Sequence, residues 1–353
     1  MSETGDILSE TVHRLFADRV TRKLRDEADQ GVWPEALWSA LQEVGLPWLA
    51  VSEARGGAGA DFDDQMAVIR LAGYHAAPVP LAETLLAEHL LAAAGLPAIV
   101  GPLTIGPVYR DDRLILSRQG SRWVVDGTLY RVPFARNASA IVAIADHEGE
   151  RATVVIRPPF ALALGIGHDH EPRDTVTLTG YGIADEDVGP IGRGLCRLDL
   201  SLHGALERAV QMVGAMQRML EMTAQYSLDR IQFGRPIAKF QAVQHQIAML
   251  ASHAAAASAA VRGAISAARE HPALFETAAA KARAGEAAAL VIEYAHQVHG
   301  AIGFTYEHSL HFFTKRLWSW RDEFGNEAEW NLFVGRYMAK AGADNLWAEI
   351  TAA

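Results

Sequence analysis

Apolar residues recur at three- and four-residue spacing over about the first hundred positions and again from about residue 197 to the end. ILSETVHRLFADRVTRKLRDEAD (7–29) reads as continuous helix. WPEALWSALQEVGL (33–46) reads as a helix opened by Pro34 and closed at Gly45. PLAETLLAEHLLAAAGLP (80–97) is another, ended by Gly-Leu-Pro. From about residue 100 to about 195 the texture changes to short β-branched and aromatic runs. These are broken by Gln-Gly, Asp-Gly, Arg-Asn and His-Glu-Gly, which predicts antiparallel strands and hairpins. Helical periodicity then returns in long segments at 197–230, 239–270 and 272–300. Two shorter ones follow at 308–320 and 328–350. Long helices on short loops predict an antiparallel bundle. The fold class is α+β, mainly α: an N-terminal helical domain (1–99), a middle β-barrel or sheet domain (100–196) and a C-terminal four-helix bundle (197–353), with a fifth helix at most.

Composition narrows the function. The chain has 353 residues, half of them apolar, and a net charge of −10. That charge argues against nucleic acid or an anionic membrane as the main partner. A single cysteine, Cys196, excludes an internal disulfide and a cysteine-based zinc site. The acidic N-terminal stretch is unlike a signal peptide, and no apolar run reaches the ~18 residues of a membrane span. A cytoplasmic location is the expectation.

Four stretches carry candidate chemistry. DRIQFGRPIAKFQAVQH (229–245) breaks two helices with an arginine, a phenylalanine and glycine. Arg230 offers a planar fork suited to phosphate, Phe233 a ring to cover a flat group, and Gln232 and Gln241 donors and acceptors. QVHGAIGFTYE (297–307) ends a helix at His299-Gly300, and Gly303 permits close backbone approach. ARGGAGAD (54–61) lacks the βαβ context of a dinucleotide loop and reads as a turn. GHDHEPRD (167–174) places His168 and His170 near acids. Without a third ligand set by spacing it reads as a polar turn, and no metal is expected.

Three of these stretches, in chain order on a helix–β–helix chain, resemble the acyl-CoA dehydrogenase family. GLPWLAVSEARGGAGAD is similar to the family's N-terminal glycine-rich stretch, and SRWVVDGTLYRVPFARNASAIVAIA to its middle-domain pattern. DRIQFGRPIAKFQAVQHQIAMLA is similar to its Arg-x-x-Phe-Gly hairpin, and QVHGAIGFTYEHSL to its Gln-x-x-Gly-x-x-Gly-Phe segment. The resemblance implies FAD as cofactor, held across a subunit interface. Arg230 would take the pyrophosphate, and Gln232, Phe233 and Gln241 the adenosine side. Gln297, Gly300 and Ala301 would form the other wall.

Departures from the family pattern set the remaining expectations. PLTIGPVYRDDRLILSRQG lacks the Thr-Glu-Pro-x-x-Gly-Ser-Asp stretch that holds the flavin ring, and YRVPFARNA replaces a Trp-Ile-Thr contact. The family removes an α-proton with a glutamate while hydride leaves the β-carbon for the flavin. In one branch that glutamate would fall at Phe324, one residue after Glu323. In another it would fall at Gly204, with Glu207 one turn on. Glu323 is therefore the candidate catalytic base and Glu207 the alternative. Three readings follow. The first is an FAD-dependent acyl-CoA dehydrogenase that desaturates an acyl-CoA thioester and passes electrons to an electron-transfer flavoprotein. The second is a catalytically degenerate partner subunit of an α2β2 acyl-CoA dehydrogenase, of the kind known in bacterial steroid side-chain degradation. The third is a non-redox acyl-CoA-binding member. A homodimer, homotetramer or heterotetramer is implied in each.

Overall fold

The structure, a computed structural model, describes residues 3–109, 111–270 and 272–351. The chain forms two compact units. One consists of Lys23–Gln65 and Pro78–Gly204, the other of the described parts of Ser2–Arg22, Met66–Ala77 and Ala205–Ala353.

The N-terminal third is helical: α1 (Glu3–Arg19), α2 (Arg22–Asp29), α3 (Glu35–Glu43), α4 (Phe62–His75) and α5 (Leu81–Ala93). The periodicity read across 7–29 is broken into α1 and α2 at Val20-Thr21, a β-branched pair with weak helix preference. ARGGAGAD is a turn, with Gly57 and Gly59 donating backbone N–H to the Ser52 and Val51 carbonyls.

Seven strands follow: β1 (Leu103–Gly106), β2 (Arg113–Gln119), β3 (Arg122–Pro133), β4 (Ala140–His147), β5 (Glu150–Ile156), β6 (Ala161–Ala163) and β7 (Arg173–Ile183). They form one sheet in the order β1-β4-β2-β3-β7-β6, with β5 on β4. The hairpins read from Gln-Gly and His-Glu-Gly are present as two-residue turns. They join β2 to β3 (Gln119 opposite Arg122) and β4 to β5 (His147 opposite Glu150). The expectation of purely antiparallel pairing is corrected. β1 pairs with β4 in parallel, and β2 meets β4 in parallel at Ile115 and Asp146. The β2–β3 hairpin intervenes in sequence between β1 and β4, so the chain returns to the sheet by a crossover rather than a turn. β1 is buried throughout and β4 over Ala140–Ala145, as expected of strands covered on both faces. Leu114, Leu116, Val125, Leu129, Ile141 and Val154 belong to the core beneath them.

The rest is helical again: α6 (Arg197–Asp229), a two-stranded hairpin of β8 (Ile231–Gln232) and β9 (Arg235–Pro236), α7 (Gln241–Ala268), α8 (Leu274–His299), α9 (Leu310–Asp322), α10 (Glu327–Ala341) and α11 (Leu346–Thr351). The run read through 328–350 is interrupted at Gly342, whose φ of +82° no helix continues. In the second unit α8 is apolar nearly all round and sits at the centre. Ala278, Ala280, Ala282, Ala284, Ala287, Ala288 and Val291 are all buried. Glycines set how closely α4 and α6 cross. A Cβ at Gly73 would lie 2.1 Å from the Gln211 carbonyl oxygen, and one at Gly214 would lie 2.1 Å from that of Arg70. The backbones meet where neither helix has a side chain.

Candidate functional site

The hairpin between α6 and α7 is built around a tight turn. Ile231 pairs with Pro236 and Gln232 with Arg235, leaving Phe233 (φ +52°) and Gly234 (φ +78°) as the turn residues. Two positive φ values in succession make a type I′ turn, which costs glycine nothing and phenylalanine strain. The turn thrusts Phe233 outward at 92% exposure. Its ring meets Phe240 edge-on at 6.1 Å, and Arg235 lies over Phe240 at 4.3 Å. The Arg230 N–H donates to the Tyr226 carbonyl, and the Ile237 N–H donates to the Arg230 carbonyl. Arg230, Gln232 and Gln241 are exposed. Among the described residues, the Arg230 guanidinium has no hydrogen-bond or ion-pair partner.

The second predicted segment lies at the C-terminal end of α8. Gln297, Gly300 and Ala301 are exposed. Gly300 leaves the helix at φ +62° and ψ −143°, a conformation open to glycine, and its N–H donates to the His296 carbonyl. The guanidinium of Arg22 donates to the carbonyls of Tyr306 and Glu307, tying down the far end of this segment. The hairpin and this segment share Tyr226. Its carbonyl holds Arg230, and its ring stacks on His299 with centroids 4.5 Å apart. The two segments that carry seven of the nine predicted site residues thus both contact Tyr226.

The two glutamates lie elsewhere. Glu323, 1% exposed, caps the C-terminus of α9, and its Oε2 accepts from Arg208 Nε at 2.6 Å. Arg208, 2% exposed, also donates to Gln211 Oε1 at 2.6 Å. Glu207, the neighbour of Arg208 on α6, is 8% exposed. Phe324 is buried at φ +55°, and its carbonyl accepts from Trp330 Nε1 at 3.0 Å. Lys281, wholly buried on α8, donates to the Arg321 and Gly325 carbonyls at 2.7 and 2.8 Å. Burial pulls the Lys281 ammonium down to about 7; Glu323 acts against this and Arg208 with it. Arg208 stands 22 positions before Arg230. On a helix that is about 33 Å.

Arg208, Lys281, Tyr226 and His299 were not singled out by sequence. Lys281 stands in the alanine-rich run AAAKARAG beside Arg283, and nothing local marks it as the buried one of the two. Arg208 and Glu323 pair over 115 positions, which no local pattern reveals. GHDHEPRD is an ion-pair turn: buried Asp169 accepts from the Glu171 N–H and from Arg173. Among the described residues no group of three or more histidine, cysteine or acidic side chains is placed to hold a metal. Among the described residues no helix is long and apolar enough to cross a membrane.

Comparison with known proteins identifies the family. The family model described as acyl-CoA dehydrogenase, N-terminal domain, matches residues 2–99. The one described as acyl-CoA dehydrogenase, C-terminal domain, matches residues 201–321. The chain is 28% identical over 329 residues to the acyl-CoA dehydrogenase IpdE2 of Mycolicibacterium smegmatis, across 90% of this chain and 93% of that protein. It is 29% identical over 318 residues to IpdE2 of Mycobacterium tuberculosis, across 89% and 91%. The fold matches that in the crystal structure of the ChsE4-ChsE5 complex from Mycobacterium tuberculosis. The TM-score is 0.89 at 23% identity, over 97% of this chain and 99% of that one. With both terminal domains matched in their family order, the chain belongs to the acyl-CoA dehydrogenase family, flavoprotein oxidoreductases that act on the CH–CH bond of acyl-CoA thioesters.

Proposed function

We propose that this chain works as one of two unlike subunits of an FAD-dependent acyl-CoA dehydrogenase, supplying the cofactor wall while a homologous partner supplies the base. The buried Arg208–Glu323 pair carries this reading. A general base must reach its proton. A carboxylate 1% exposed and engaged by an arginine at 2.6 Å is closed off from a substrate. Phe324 fills the neighbouring position with a side chain that cannot take a proton. The alternative, Glu207, is itself buried at 8% exposure on α6.

The residues at the hairpin fit FAD. The Arg230 fork would pair with the pyrophosphate, Phe233 would cover the adenine, and Gln232 and Gln241 would meet its ring and ribose. Gln297 and the Gly300–Ala301 backbone would close the other side. FAD, when bound, takes the hydride that leaves the β-carbon of the acyl thioester. This chain's own residues hold and orient the cofactor's adenosine end and shield it from water. The hairpin lies about 33 Å along α6 from the glutamates, which suits a wall offered to a neighbour's flavin. Electrons would pass on to an electron-transfer flavoprotein. Relatives that include a two-component complex, ChsE4-ChsE5, support an assembly of unlike chains.

The test is flavin content after purification, alone and co-expressed with a homologous second chain. Little flavin alone and stoichiometric flavin in the pair is expected. A chain that carries full flavin by itself, is bleached by an acyl-CoA, and loses bleaching with Glu323→Gln or Glu207→Gln would overturn the proposal in favour of a complete homo-oligomeric dehydrogenase.

A further inference from the structure

Beneath the Gln297–Ala301 segment lies a stack of rings. His299, 3% exposed, is sandwiched by Tyr226 at 4.5 Å and 22° and by His308 at 4.5 Å and 57°. Its Nδ1 lies 2.8 Å from the Ala295 carbonyl, which makes that nitrogen the donor. Its Nε2 is buried with no partner among the described residues. One turn earlier His296 pairs through Nε2 with Thr314 Oγ1 at 2.9 Å and lies against Phe304. A neutral imidazole tolerates an idle acceptor nitrogen. An imidazolium does not tolerate a buried, idle N–H.

We propose that the Tyr226–His299–His308 stack is a proton-sensitive latch: it holds the Gln297–Ala301 wall shut while its histidines are neutral and releases the 300–309 segment when they take up protons. Apart from the Ala295 carbonyl, which favours a proton on His299, the surroundings oppose charge. Tyr226 comes from α6, His296 from α8, Phe304 and Tyr306 from the turn, and His311 from α9. Arg22 grips the Tyr306 and Glu307 carbonyls, and Lys315 lies 5.0 Å from the Tyr306 ring. These groups are neutral or basic, and the one carboxylate in the segment, Glu307, is exposed. A proton on His299 or His308 therefore meets Arg22 or its sister histidines, with no carboxylate beside it among the described residues. Burial holds His299 down to about 4 and lowers His296 and His308 as well, with the neighbouring histidines, and for His308 also Arg22, adding to the effect. The folded segment thus refuses protons that the opened one accepts at an ordinary histidine value. Opening is favoured as pH falls below about 6.5, and closure is complete above it.

The inference rests on the proposed function only in calling this segment a cofactor wall, so the latch is tested on the full chain without FAD. Hydrogen exchange of 300–309, corrected for the intrinsic rate, is followed at about pH 7 and about pH 5 beside an NMR titration of the histidine ring protons. Protection is expected to fall about tenfold or more in this segment alone, with His299 titrating well below its neighbours on the surface. His299→Phe, which keeps a stacked ring and removes the proton site, should hold protection across the same range. His308→Phe provides a second, less buried version of the same test. Unchanged wild-type protection, or His299 titrating as an exposed histidine, would overturn the latch. So would equal loss in a folded phenylalanine variant. A latch that opens as described in a pair whose flavin content does not depend on Arg230 would leave the latch standing and remove the cofactor reading.

Discussion

Phe233 occupies a left-handed turn position that asparagine fills far more readily, and its ring is left almost wholly in water. A local rule broken at an exposed position points to a use elsewhere. Phe233→Asn should raise the stability of the isolated chain by up to about 1 kcal/mol, read as a higher urea midpoint, while weakening FAD capture by the assembled enzyme. Arg230→Ala should cost about 1.5–3 kcal/mol of FAD affinity, roughly ten- to a hundredfold, measured by fluorescence titration. Lys281 offers a different kind of test. Its ammonium is pulled from the ordinary 10.5 down to about 7. Between those values the unfolded chain binds a proton that the folded chain has lost, so this residue makes stability rise with pH across that window. Lys281→Met should remove that rise in urea unfolding followed at several pH values. An unchanged slope would show that the folded amine titrates normally.

At the level of elements, much of the architecture was readable because each element carries its own period. α6, α7 and α8 were visible as apolar stripes, and the β2–β3 and β4–β5 turns as Gln-Gly and Glu-Gly. The hairpin of 230–241 was visible because glycine at 234 and the polar residues around it make no sense inside a helix. The parallel β1–β4 pairing was not, because a strand's sequence records which faces are covered and not which strand lies beside it. The α4–α6 crossing was also hidden: Gly73 and Gly214 stand 141 positions apart and become meaningful only when each is seen against the other helix's carbonyl. Gly214→Ala should therefore destabilise the fold by about 1–3 kcal/mol or more, since backbone cannot yield as a side chain does. At the start of α10, Asn326 Oδ1 accepts from the Ala328 and Glu329 N–H groups at 3.0 and 3.1 Å. Asn326→Ala should lower stability by about 1 kcal/mol, with a fall in Tm and no change in the flavin spectrum of the assembled enzyme.

For the molecule as a whole, the division between what was legible and what was not falls between the wall and the base. The proposed cofactor wall sits on two short stretches of sequence, each of which can be read by itself. Glu323 depends on an arginine 115 positions away, and only the fold shows it held by Arg208. Glu323→Gln should cost stability, because Arg208 is left buried with a weaker partner, and should leave substrate bleaching of the paired enzyme's flavin intact. Loss of bleaching with normal stability would instead make Glu323 the base. The outward thrust of the hairpin has a consequence of another sort. Ile231 at 61%, Phe233 at 92%, Phe304 at 75% and Tyr306 at 68% exposure crowd the end of the unit that the proposed partner covers. A chain synthesised in excess of that partner shows this ground to chaperones and proteases. Its steady-state amount should then follow the partner's expression rather than its own transcript, so that subunit balance is set by the turnover of orphans.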